Sequence, residues 1–124
     1  MNYIIDTHIL LWYMEGDPRI STETQETIED ASNTIWISNA SLWEMAVKVS
    51  IGKLELNGSL KAIKNYLNDK GFHLLEFDTD DLDMLQTLPF HHQDPFDRLI
   101  VAQTKAKSLE IISNDWQVNK YFDE

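Results

Sequence analysis

Asn2-Tyr3-Ile4-Ile5-Asp6-Thr7-His8-Ile9-Leu10-Leu11-Trp12-Tyr13 joins a short apolar run, an acid and a second apolar run of helical character. Asn2 to Ile5 reads as a buried strand, and Ile9 to Tyr13 begins a helix that the Gly16-Asp17-Pro18 turn stops. This is a β-to-α step with Asp6 at the hand-over. Three other pieces place acids similarly: Ser41-Leu42-Trp43-Glu44, Asp94-Pro95-Phe96-Asp97-Arg98 and Ile111-Ile112-Ser113-Asn114-Asp115. Where strands feed helices in an α/β protein, the strand ends converge at one rim of the sheet.

Outward from these pieces the pattern continues. The polar run from Ser21 to about Asn33 reads as a surface helix, Thr34 to Ser38 as a second strand, and Ser41 to Lys48 as a helix ended by Gly52. Leu60, Ile63, Tyr66 and Leu67 form one stripe of a helix from Ser59 to about Asp69, closed by Gly71. Leu74 to Phe77 is the expected third strand, and Thr79 to Thr87 a short helix rich in acids in its first turn. Pro95 takes the first position of a long helix capped by Asp94, with Leu99, Ala102, Gln103 and Ala106 on one face. Leu109 to Ile112 is the fourth strand, and Asp115 opens a last helix. Strands alternating with helices predict an α/β fold, a three-layer α/β/α sandwich with a mainly parallel central sheet, in one domain spanning 1–124.

The 124 residues suffice for a core without covalent staples, and the absence of Cys excludes disulfides, zinc ribbons and thiol chemistry. Neither a signal sequence nor an 18-residue apolar run is legible, so the expectation is a soluble cytoplasmic protein with no membrane partner. The 21 acids against 10 Lys and Arg give a formal charge of −11. That balance argues against a broad basic nucleic-acid surface and confines any such contact to a local one.

Each acid has a structural explanation when taken alone. Asp6 and Asp115 suit the N-caps of the helices that follow them, Ser41-x-x-Glu44 has capping-box spacing, Asp94 caps the helix that Pro95 opens, and Asp97 complements its dipole. Capping, however, does not require those helices to begin at one rim. Two unit charges 4 Å apart repel by about 4 kcal/mol at an effective dielectric of 20, so cations or protons must settle such a cluster. An all-oxygen site favours Mg²⁺ or Mn²⁺ over zinc. His8, His91 and His92 lack metal-ligand spacing and read as solvated loop residues, while the aromatic residues at 12, 13, 36, 43, 66 and 116 read mostly as core or interface. No nucleophile elbow or phosphate-cradling glycine loop is present.

The N-terminal IIDTHILLW, the middle ISNASLWEMAVKVSIGKL, the HHQDPFDRLIVAQTKA block and the closing IISNDWQV together resemble the PIN-domain proteins, and within them the VapC-like toxins of bacterial toxin–antitoxin pairs. The resemblance implies that Asp6, Glu44, Asp97 and Asp115 form an acidic catalytic quartet, with Asp94 a supporting acid. It also implies Mg²⁺- or Mn²⁺-dependent endoribonuclease activity on RNA, an antitoxin protein as partner, and a homodimer formed through the first helices. Within that reading Asp6, Asp97 and Asp115 are the expected metal ligands, Asp94 a further one, and Glu44 an outer ligand or orienter of the attacking water. Thr7 and Ser113 would hold outer waters, and Arg98 would meet a substrate phosphate or pair with a neighbouring acid. The chain's acidity is the point where it fits this pattern least, since the cations near the motifs are few: Lys48, Lys53, Arg98, Lys105 and Lys107.

Two rival functions follow from the same residues. A catalytically weak PIN-fold module that binds a protein partner would suit the negative charge, and a metal-dependent phosphomonoesterase would use the same acids on a small substrate.

Overall fold

The computed structural model describes residues 1–123. Four strands form one sheet: β1 (Asn2–Ile5), β2 (Thr34–Ser38), β3 (His73–Leu75) and β4 (Glu110–Ile112). All pairings are parallel and the spatial order is β3-β2-β1-β4. The register sets Ile5 opposite Ile37 on one side and Ile112 on the other, so β1 and β4 end level and β2 runs one residue further. The chain steps outward from β1 through β2 to β3, then returns to place β4 on the far side of β1. The order therefore reverses between β1 and β4, and the crevice at the carboxyl ends there is where parallel sheets bind ligands.

Because successive strand residues face opposite ways, Ile4 and Ile5 serve two different cores. Ile5, Ile35 and Ile37 pack with Ile9 and Leu10 of α1 (Thr7–Glu15), Ile28 of α2 (Thr22–Glu29), Met45 of α3 (Asn39–Ser50), and Ile63 and Leu67 of α4 (Leu60–Asp69). On the other face Ile4 meets Ala40 of α3 and Leu99 and Ile100 of α6 (Pro95–Ala106), with Leu85 of α5 (Thr79–Thr87) against them. Burying each such side chain stabilises the fold by about 1.5–3 kcal/mol. The sandwich and its parallel sheet are as the sequence predicts. A short helix α7 (Trp116–Asn119) and a 3₁₀ turn (Lys120–Phe122) complete the described chain. None of the described helices is long and apolar enough to cross a membrane.

Local differences from the sequence reading have physical causes. The surface helix ends at Glu29, because the Asp30 carboxylate takes the Ser32 N–H at 2.9 Å and the Ser32 hydroxyl at 2.7 Å and turns the chain. The third strand is His73–Leu75, so Glu76 and Phe77 lie beyond the sheet pairing that runs only to Ser38 opposite Leu75. Ser41 is not a cap: α3 begins at Asn39 with Ser38 as its N-cap, accepting the Ala40 N–H at 3.0 Å. The Ser38 hydroxyl in turn donates to Gln103 Oε1, while Gln103 Nε2 donates to the Leu75 carbonyl at 3.3 Å. One buried amide thus ties α6 to the ends of β2 and β3.

Candidate active site

Asp6 follows β1 directly and caps α1, its Oδ1 accepting the Ile9 N–H at 2.9 Å. Its Oδ2 accepts the Ser113 hydroxyl from the loop after β4. The same Ser113 Oγ accepts the Asp115 N–H at 3.1 Å, and Asp115 Oδ1 caps α7 through the Gln117 N–H at 2.8 Å. Capping and site-building are therefore one arrangement here, since the cap bonds fix the carboxylates at the crevice between β1 and β4. Burial raises the Asp6 pKa, and the Ser113 hydroxyl and Ile9 amide only partly offset it.

Asp97 sits in the first turn of α6 and is 7% exposed. Its pKa is pushed up to about 7, first by burial and then by the charges of Asp94, Glu44 and Asp6, with His92 opposing them. Asp94 holds the start of α6, its Oδ1 accepting the N–H groups of Phe96 at 2.9 Å and Asp97 at 3.0 Å. The structure thus shows Asp94 as the cap that orients Asp97 and as a charge beside it.

Glu44 lies in α3 and is 1% exposed. It makes no capping box; its Oε2 meets Lys48 Nζ at 2.6 Å, and its Oε1 is buried without a hydrogen-bond partner. Ser41 instead accepts the Thr7 hydroxyl at 2.9 Å in a buried bond that pins α1 to α3. That bond gives Thr7 and Ser41 a bracing role.

His92 departs from the sequence reading, which makes it a solvated loop residue. Its side chain is 13% exposed, and Nε2 lies 3.0 Å from Asp115 Oδ2 and 3.1 Å from Asp97 Oδ2. The three ligand-type atoms of His92, Asp97 and Asp115 lie within 4.8 Å of one another. Only the presence of His in the loop before Asp94 signals this, because its partners stand on other elements. His8 is exposed, and His91 packs edge-on against Tyr121 with ring centroids 4.8 Å apart.

Arg98 is also spent differently from expectation. The residue is 8% exposed, its Nη1 donating to the Pro89 carbonyl at 2.9 Å and the Tyr121 hydroxyl at 3.0 Å, and Phe90 lies over its guanidinium at 4.0 Å. It pairs with no carboxylate among the described residues. Lys107 is held by Asp78 at 2.7 Å and Asp81 at 3.3 Å. Of the aromatic residues, Trp43 and Trp116 stand out at 53% and 70% exposed, beside Glu44 and Asp115 in sequence.

The donor set suits a hard divalent cation. It is built from carboxylate oxygens, Glu44 Oε1 is an orphaned buried acceptor, and the burial and mutual repulsion that raise Asp97 are what a cation would offset.

Comparison with known proteins agrees with this architecture. VapBC2 from Rickettsia felis, solved bound to a DNA fragment from their promoter, superposes with a TM-score of 0.72 at 17% identity, covering 98% of this chain and 93% of that one. VapBC-1 from nontypeable Haemophilus influenzae superposes with a TM-score of 0.68 at 17% identity, covering 98% and 92%. No curated protein sequence matches the chain. The family pattern of the PIN domain matches residues 3–122, and with the strand order, the site at the β1–β4 crevice and these superpositions it establishes that the chain belongs to the PIN-domain family.

Proposed function

We propose that this protein is a metal-dependent endoribonuclease, hydrolysing RNA phosphodiester bonds as the toxin of a toxin–antitoxin pair. The single observation that carries this reading is the convergence of Asp6, Glu44, Asp97 and Asp115 from four separate elements on one crevice, with Asp97 pushed up to about 7 by burial and by the charges of Asp94, Glu44 and Asp6. Membership of the PIN family and the fold shared with the two VapBC structures support the nuclease class and the antitoxin partner. A homodimer through the first helices and a cytoplasmic location complete the proposal.

Asp6, Asp97 and Asp115 would hold Mg²⁺ or Mn²⁺, with Asp94 as a further acid close by. When bound, the ion supplies Lewis acidity at the phosphoryl oxygens and acidifies a water molecule. The chain's own part is positioning. Asp6 is fixed by the Ile9 amide and the Ser113 hydroxyl, and Asp115 by the Gln117 amide, so neither carboxylate must reorganise as charge develops. Glu44 Oε1, lacking a partner, accepts a hydrogen bond from the attacking water and aligns it. The water oxygen bonds to phosphorus as one P–O ester bond breaks; the attacking water gives up one proton to solvent and the departing oxygen takes one back from it, so no net proton is consumed.

The test is cleavage of a total RNA pool by wild type and Asp97→Asn, each with Mn²⁺, Mg²⁺ or EDTA, beside a small phosphomonoester. Discrete RNA fragments from wild type with metal alone support the proposal. Absence of cleavage together with absence of metal binding would replace it with the interaction module, and turnover of the small ester alone with a phosphomonoesterase.

A further inference from the structure

Trp43 is not a core residue. It precedes Glu44 on α3 as Phe96 precedes Asp97 on α6, and the two rings meet edge-on, with centroids 4.8 Å apart at 82°. An aromatic pair therefore borders the acids, and Phe96 steadies an indole that stays 53% exposed. From Trp43 a cleft of about 510 Å³ runs between α3, Leu60 at the start of α4 and Phe77 after β3. Asn39, Leu42, Trp43 and Ala46 form its α3 side, spaced three or four residues apart on one helical face. Phe77 is 40% exposed, none of the lining residues is ionisable, and the Asn39 carboxamide offers both a donor and an acceptor.

Charge decides which part of an RNA suits this cleft. A chain of net −11 repels a polyphosphate, and three of the cations near the acids are already engaged. Lys48 is held by Glu44, Arg98 by Pro89 and Tyr121, and Lys107 by Asp78 and Asp81. Affinity for RNA must then come largely from its uncharged parts. The bases of a single strand can splay out and stack on exposed aromatic rings, whereas those of a duplex present no free face. Stacking also releases no counterions, unlike neutralisation of phosphates.

We propose that the cleft is a base-binding subsite, in which a nucleobase next to the scissile phosphate of single-stranded RNA stacks on Trp43, with Phe77 and Leu60 at its sides and Asn39 hydrogen-bonding its edge. The subsite rests on the RNA-cleavage reading above and adds to it a substrate class, unpaired RNA held by its bases. It also places recognition on the α3 shoulder next to Glu44 and not on a basic surface.

The experiment is fluorescence anisotropy with Mn²⁺ on a labelled single-stranded RNA of about twelve nucleotides, its abasic counterpart and its duplex. The protein carries Asp97→Asn throughout, so that the strand stays intact, alone or with Trp43→Ala, Trp43→Phe or Phe77→Ala, and thermal melts verify folding. Cleavage of the same single strand is followed in parallel with Asp97 intact. Trp43→Ala is expected to weaken binding by about 10- to 100-fold and Phe77→Ala by less, while Trp43→Phe keeps most of the affinity. The abasic strand and the duplex should bind as weakly as the single strand binds Trp43→Ala. Between about 50 and 200 mM salt the affinity should fall by less than about tenfold, where a protein held by many phosphates loses a thousandfold or more. Equal binding of the base-bearing and abasic strands would overturn the subsite. So would unchanged binding by folded Trp43→Ala and Phe77→Ala, which would leave the cleft to a protein partner. If wild type cuts the strand and Trp43→Ala cuts it equally well, the nuclease reading stands and the subsite alone is lost. If binding depends on Trp43 and on the bases but wild type cuts nothing, the subsite stands and the nuclease reading is lost.

Discussion

The ammonium of Lys48 stands 2.6 Å from Oε2 of Glu44, one helical turn away, and closes one side of an otherwise buried carboxylate. The pair links the most buried acid of the site to solvent, since the Lys48 side chain is 33% exposed and that of Glu44 only 1%. Burial lowers the Lys48 pKa, but the Glu44 hydrogen bond and charge, with Asp94 and Asp97 behind them, raise it on balance.

Removing the lysine leaves Glu44 as an uncompensated buried charge. Lys48→Met is expected to destabilise the ion-free protein by about 1–3 kcal/mol, the range reduced by solvent at the ammonium. Lys48→Met/Glu44→Gln should recover most of that loss. Urea unfolding at neutral pH measures both, and equal losses in the single and double variants would contradict the pairing.

The raised pKa of Asp97 makes stability depend on pH in a defined direction. The folded state holds this proton more tightly than the unfolded chain, so the contribution is fully present below the unfolded value of about 3.9 and is lost as pH rises through about 7. At pH 8 Asp97→Asn should therefore be more stable than ion-free wild type, by up to about 4 kcal/mol, and at pH 4 the two should coincide. Thermal melts across that range decide it; a pH-independent difference would count against the buried cluster.

Arg98→Lys tests whether the guanidinium is structural. Lysine cannot reproduce the planar set of contacts to the Pro89 carbonyl and Tyr121 hydroxyl under the Phe90 ring. The expected result is a loss of about 1–3 kcal/mol in stability with the KM for RNA little changed in the folded fraction. A raised KM at unaltered stability would instead make Arg98 a phosphate contact.

Ser113 joins the ends of β1 and β4 chemically, donating to Asp6 and accepting from the Asp115 amide. Ser113→Ala should lower Mn²⁺ affinity by about 10- to 100-fold, as loss of an orienting partner commonly does. Calorimetry reads this directly, and Ser113→Thr, which keeps the hydroxyl, should retain most of the affinity.

Much of this architecture is legible residue by residue. Ile4-Ile5-Asp6 announces a strand and the cap of the helix after it, Asp94-Pro95 starts α6 where expected, and Gly16 ends α1 in the left-handed conformation with φ of 64°. What misleads is the local signal with a tertiary rival. Ser41 and Glu44 have capping spacing, but Ser38 caps α3 and engages Gln103, leaving Ser41 to Thr7 and Glu44 to Lys48. His92 is illegible for the same reason, because Asp115, 23 residues on, supplies its environment and no short spacing encodes that. Arg98 reads as a free cation beside acids, and its burial depends on Pro89 and Tyr121.

The pairing of β4 with β1 joins the last strand to the first, Tyr3 opposite Glu110. On the ribosome this means that a growing chain extending through α6 already carries Asp6, Glu44 and Asp97 but has no Ser113 to clasp Asp6 and no Asp115 to complete the crevice. The crevice is thereby left unfinished until β4 and the loop after it have emerged, and the order of synthesis supplies a delay before the acids can come together.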